Sequence, residues 1–168
     1  MRPVIETLVG QPRVWVLTMA LLFGTVLGTT LSRGAALRPP PALGAFPSFS
    51  SRDDRGAPFT EADLRGRAFI ANRLSPGGAE TMRTLQRRTR NLGDALVLVS
   101  FSGTQPPARS DPRSARRWLL IAGPPPAGLP GDGGELVLVD ARLRIRGRYL
   151  REQLDDLLRD ASLVVNGD

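Results

Sequence analysis

The chain opens on one long uncharged stretch and then alternates short apolar runs with loops rich in proline and glycine. Between Arg13 and Arg33 lie nineteen residues, Val14 to Ser32, without a charge. At the helical rise they reach roughly 28 Å, enough to cross a bilayer core. Trp15 stands near one end, where an amphipathic ring is favoured. The run is long for the apolar core of a secretory leader, and no clean A-x-A site follows it. The pattern predicts a transmembrane anchor over 14–32, retained after a short cytoplasmic tail, 1–13. A cleaved leader is the alternative, with a buried soluble helix behind it. Arg2 and Arg13 precede the span while Arg33 and Arg38 follow it, so charge alone barely orients it. The short tail and large remainder favour a single-pass protein of the inner (plasma) membrane with its C-terminal domain on the periplasmic, extracytoplasmic side.

Residues 33–55 read as a linker, stiff at Arg38-Pro39-Pro40-Pro41 and loose at Ser48-Phe49-Ser50-Ser51. The folded domain is expected over 56–166. Gly56-Ala57-Pro58-Phe59-Thr60 predicts a turn into a short strand, and Thr60 with Asp63 forms a capping box. Ala68 to Asn72 predicts a short strand, and a helix follows from about Ala79 to Arg90 with Ala79, Met82 and Leu85 on one face. The continuous apolar run Ala95 to Phe101 predicts a central strand buried on both faces. Trp118 to Ile121 is a further strand; Leu136 to Val139 and Arg144 to Tyr149 predict a hairpin. A last helix starts near Arg151, with Leu154, Leu157, Leu158 and Ala161 as its buried stripe. Strand–helix–strand, a crossover, a strand, then hairpin and helix is the order a thioredoxin-like α/β domain requires, here in a reduced three-layer α/β/α form. Ser102 to Arg117 is long enough for a minimal parallel crossover, and its prolines leave room for one short helix near Ser110 to Arg117.

Composition narrows the chemistry. All 23 basic residues are arginine, and the chain has no lysine, histidine or cysteine. That excludes Ser-His-Asp and Cys-His catalysis, thiol redox centres, lysine Schiff bases and the usual zinc and copper(I) ligand sets. No paired acidic constellation points to carboxylate catalysis either. No catalytic residue, cofactor site or metal site is expected, and the protein reads as a non-enzyme. The net charge of +7 favours an anionic partner such as a membrane surface; nucleic acid is not expected for an exported domain. Arg142, Arg144, Arg146 and Arg148 are spaced by two, so on a strand they would share one face with Leu143, Ile145 and Tyr149 on the other. That row reads either as a docking surface for anionic lipid or an acidic protein, or as a solvated strand face. Arg83, Arg87 and Arg90 form a similar row on the first helix.

Taken in order, Gly56-Ala57-Pro58-Phe59-Thr60, Ala62-Asp63-Leu64-Arg65-Gly66-Arg67, Leu98-Val99-Ser100-Phe101, Leu136-Val137-Leu138-Val139-Asp140 and Arg144-Ile145-Arg146-Gly147-Arg148-Tyr149 resemble the Sco/SenC family. These are membrane-anchored thioredoxin-fold proteins of cytochrome c oxidase copper assembly. The resemblance covers roughly residues 46 to 165. It implies copper ligands in a C-x-x-x-C-type loop after the first core strand and at a histidine before the Leu-Val-Asp strand. This chain has Ser75 and Ala79 at the two cysteine positions and Asp132 at the histidine position. The resemblance therefore implies a degenerate member: an accessory or scaffold factor near respiratory oxidase assembly, with the oxidase or its assembly factors as partners and no copper. The rival reading is a non-catalytic module that docks through the arginine row on anionic lipid or an acidic protein.

Overall fold

The computed structural model describes residues 15–16, 18–25, 38–103, 117–129 and 134–167. The chain divides into two units, Met1–Arg38 and Pro39–Asp168. In the first, residues 18–25 are helical, and Thr25 donates its hydroxyl to the carbonyls of Leu21 and Leu22. Trp15, Val16, Met19, Leu21, Leu22 and Phe23 are all more than half exposed. Among the described residues no helix is long and apolar enough to cross a membrane. Much of the expected anchor (Val14, Leu17 and residues 26–32) lies outside them.

The second unit is built on one mixed sheet of eight strands. In chain order these are β1 (Gly44–Ala45), β2 (Ser50–Asp53), β3 (Pro58–Thr60), β4 (Ala68–Arg73), β5 (Leu96–Ser102), β6 (Trp118–Ala122), β7 (Glu135–Val139) and β8 (Arg144–Leu150). Their spatial order is β1-β8-β7-β4-β5-β6-β2-β3. The middle strands β4, β5 and β6 run parallel, and β7 joins β4 antiparallel. The β5–β6 crossover is thus of the parallel kind expected, although residues 104–116 that make it lie outside the described residues. The hairpin of β7 and β8 forms as expected. Among the described residues two α-helices accompany the sheet, α1 (Pro76–Arg88) and α2 (Leu154–Gly167).

Alternation along the strands makes two cores. Phe69, Ala71, Val97, Val99, Phe101, Ile121, Val137 and Val139 face one way. Ile70, Leu96, Leu98, Leu136 and Leu138 face the other, against Met82 and Leu85 of α1 and Leu157, Ala161 and Val164 of α2. Both helices therefore cover the same face. The stripe expected on the last helix is this contact, with Leu154 and Leu158 at its margin. Among the described residues the other face carries no α-helix, only the 3-10 turn Glu61–Leu64, whose Leu64 packs into its core. The described part is a sheet with both α-helices on one side and an aromatic strap on the other; the short helix expected near Ser110 to Arg117 falls almost wholly outside the described residues.

That strap is the segment expected to be a linker. Phe46 meets Phe69 edge-on with centroids 5.1 Å apart, and Phe49 meets Phe101 in the same way at 5.1 Å. On one side β1 pairs with β8; on the other β2 pairs with β6 and with β3. Residues 39–55 thus belong to the folded unit, and the expected boundary at residue 56 moves back to Pro39. Proline and serine gave this stretch its linker composition, but two phenylalanines three apart bring enough apolar area to dock it. The capping box forms as read: the Thr60 amide donates to the Asp63 carboxylate at 2.7 Å.

If the strap is part of the core, Phe46→Ala should cost about 3–5 kcal/mol in chemical denaturation. A loss below about 1 kcal/mol, as expected for a solvated linker residue, would contradict the placement.

Candidate functional site

The loop after β4 is where the resemblance would put metal ligands. Here Ser75 is the N-cap of α1: its backbone is extended (φ −138°) and its Oγ accepts from the Gly78 amide at 2.9 Å. Pro76 follows at the first helical position, which its fixed φ and missing N–H suit. The helix therefore starts three residues before the predicted Ala79. It ends at Thr89, whose hydroxyl donates to the Leu85 carbonyl at 2.8 Å. Ala79 lies in the first turn, its amide donating to the Ser75 carbonyl. Met82, the one nearby soft donor, is fully buried beneath α1. Asp132 lies outside the described residues. Ser75 and Ala79 do not fit copper: the hydroxyl is a hard donor already engaged in the cap, and the methyl offers none. Among the described residues no cluster of three acidic, histidine or cysteine side chains could hold a metal ion.

Under this turn runs a buried polar chain. The Trp118 indole donates to Ser100 Oγ at 2.9 Å, and Ser100 donates to Asn72 Oδ1 at 2.6 Å. Asn72 and Ser100 are cross-strand partners on β4 and β5 and are fully buried. The other end of the amide, Asn72 Nδ2, has no partner. A buried orphan donor costs about 1–3 kcal/mol, so this one is a defect or a feature. A signal for the pair exists in the chain, since each polar residue directly follows four apolar ones in its strand.

The arginine row is reorganised by a bulge. Val139 pairs with Ile145 and Leu138 with Gly147, so Arg146 has no opposite residue on β7. One extra residue flips the alternation. Ile145 enters the core with Phe69, while Tyr149 enters the opposite core with Ile70. Arg148, opposite Val137, falls on the other face from Tyr149. The single stripe expected of Arg142, Arg144, Arg146 and Arg148 does not form. Gly147 permits the rearrangement, because a Cβ there would collide with the Tyr149 ring. The Tyr149 hydroxyl donates to Asp160 at 2.7 Å; burial first, then that bond, pushes its pKa up.

Arg144 and Arg146 converge instead on Asp140, which is fully buried at the end of β7. Asp140 Oδ1 accepts the amides of Arg142 and Arg144 at 2.9 and 2.8 Å. Its Oδ2 accepts Nε of Arg144 and Nε of Arg146, both at 2.8 Å. Arg146 also donates through Nη1 to the Pro40 carbonyl at 2.8 Å. Arg142 and Arg148 are exposed. Burial alone would push the Asp140 carboxyl up, but the Arg144 amide, both guanidinium groups and the Arg142 amide outweigh it and hold it below the ordinary carboxylate value.

No protein-family model and no curated protein matches this chain. Solved structures do. The sheet order and helix placement are those of a thioredoxin-like fold, shared with the thioredoxin domain of a thiol-disulfide oxidoreductase from Bacteroides vulgatus (TM-score 0.53, 15% identity, 74% of this chain and 98% of that one). Within that class the protein has a Sco-like form. BsSco, a member of the Sco family of cytochrome c oxidase assembly proteins, aligns with TM-score 0.61 and 15% identity over 78% of this chain and 99% of its own. A SCO1/SenC family lipoprotein from Bacillus anthracis aligns with TM-score 0.55 and 18% identity over 72% and 95%. At these identities the likeness is one of fold.

Asp140→Asn should cost about 3 kcal/mol at neutral pH, because two guanidinium groups lose their counter-charge. A depressed folded pKa contributes stability above the unfolded value and loses it as pH falls through the folded one. The gap between wild type and variant should therefore be full above about pH 5 and close in stronger acid. Denaturation curves from pH 7 to pH 2 with a constant gap would remove the ionised carboxylate from this account.

Proposed function

We propose that this protein is a membrane-anchored accessory or scaffold factor of the Sco type, acting beside cytochrome c oxidase assembly without copper or thiol chemistry. The observation that carries the reading is a Sco-like fold whose ligand loop is a plain capped helix start, with Ser75 as N-cap and Ala79 in the first turn, in a chain without cysteine or histidine. The lipoprotein among its structural likenesses supports an extracytoplasmic domain tethered to a membrane. So does the exposed apolar helix of the first unit. In this reading the protein catalyses no reaction, and its partners are the oxidase or its assembly factors. Docking through the arginine row has less support, since Arg144 and Arg146 are held by Asp140.

Competition of the purified full chain with a copper(I) chelator should leave the metal on the chelator. Tight one-to-one transfer to the protein would overturn the proposal. Affinity capture from native membranes should enrich oxidase subunits or assembly factors; their absence would remove the oxidase link.

A further inference from the structure

The first turn of α1 is short of negative charge. It contains no acidic residue, and the positive end of the helix dipole lies there. The fold nevertheless brings a cation to it. Arg151, at the junction of β8 and α2, lies so close to Gly77 that a Cβ on Gly77 would stand 3.1 Å from its Nη1 and 3.5 Å from its Nη2. The Arg151 side chain is about half exposed (49%), and its acidic neighbour Glu152 is 3.9 Å from Nε, the edge of ion-pair range. Like signs thus meet at the helix start. Gly77 is the second helical residue, whose amide has no carbonyl four residues earlier within the helix to bond.

A second donor lies below. Asn72 is fully buried, its Nδ2 is without a partner, and it sits 3.0 Å from where a Cβ on Gly78 would be. A side chain at either glycine would crowd Arg151 or Asn72. The pair of glycines, weak helix formers, is what lets both donors reach one turn. Helix dipole, open amide and guanidinium fork meet at the half-buried Gly77, and the unpartnered buried amide lies beneath the next residue, Gly78. Together they make the environment that holds a tetrahedral oxyanion.

We propose that the amino terminus of α1 binds the phosphate group of a small soluble ligand between the Arg151 guanidinium and the Gly77 amide, with Asn72 Nδ2 directed at the turn from beneath. The inference is independent of any link to an oxidase, because it uses only the geometry of this turn.

The test uses isotope-labelled full-length protein in zwitterionic detergent at low salt, titrated with inorganic phosphate. Saturable shifts of the Gly77 and Gly78 amides and of the Asn72 side-chain amide are expected. Arg151→Gln should weaken binding about tenfold, as loss of a charge-assisted pair predicts. Arg88→Gln, the same charge change against Asp155 elsewhere, should leave it within about twofold. Unmoved amides of Val99 and Leu138 report that each variant is folded. No saturable shift at Gly77, or equal weakening by both variants, would overturn the site. Glycerophosphoglycerol, a soluble phosphodiester headgroup, should bind more weakly than phosphate; tighter binding would overturn the assignment to a free phosphate in favour of a lipid.

Discussion

A buried carboxylate holds this domain together at its C-terminal hairpin. Asp140 is fully enclosed, and each of its oxygens accepts two hydrogen bonds. A lone charge there would be prohibitive; one with every acceptor site used is tolerated. Its bonds define the turn between β7 and β8, in which Leu143 adopts a left-handed φ of 61° and turns its side chain into the core. They also gather the two arginines on either side of Ile145. Arg146 then reaches the Pro40 carbonyl where the strap begins. Turn, bulge and strap form one connected set, and the carboxylate is the member they share.

The parts that were legible in the sequence are those with local causes. The apolar runs of β4, β5 and β7, the Thr60–Asp63 box and the stripe of α2 each follow from residues within a few positions of one another. The strap was illegible because its partners are distant: Phe46 and Phe49 sit among prolines and serines, and the residues they pack on come later in the chain. The bulge was hidden by the sequence itself. Arginine and apolar residues alternate without a break from Arg142 to Arg146, and only Gly147 marks the change of phase. Of the candidate site, the loop-like Pro-Gly-Gly after Ser75 hides the early helix start, and the meeting of Asn72, Ser100 and Trp118 depends on strand register.

The turn after β4 has an architectural role of its own. Ser75 closes the first turn of α1, Pro76 starts it, and two glycines let it sit low over the sheet. Its second residue lies beside the Arg151 guanidinium and its third over the Asn72 amide.

The strap also bears on how the chain must assemble. β1 pairs with β8 through Gly44 and Ile145, about a hundred residues apart, whereas β2 reaches β6 from the opposite edge of the sheet. Closing so long a loop is an entropic step that pays back only when both ends exist. During synthesis Phe46 and Phe49 emerge early, yet the hairpin that completes their binding surface emerges almost last. The opening residues of the domain are therefore among the final ones to find their places, and until then both sheet edges and two phenylalanines stand open to whatever else is nearby.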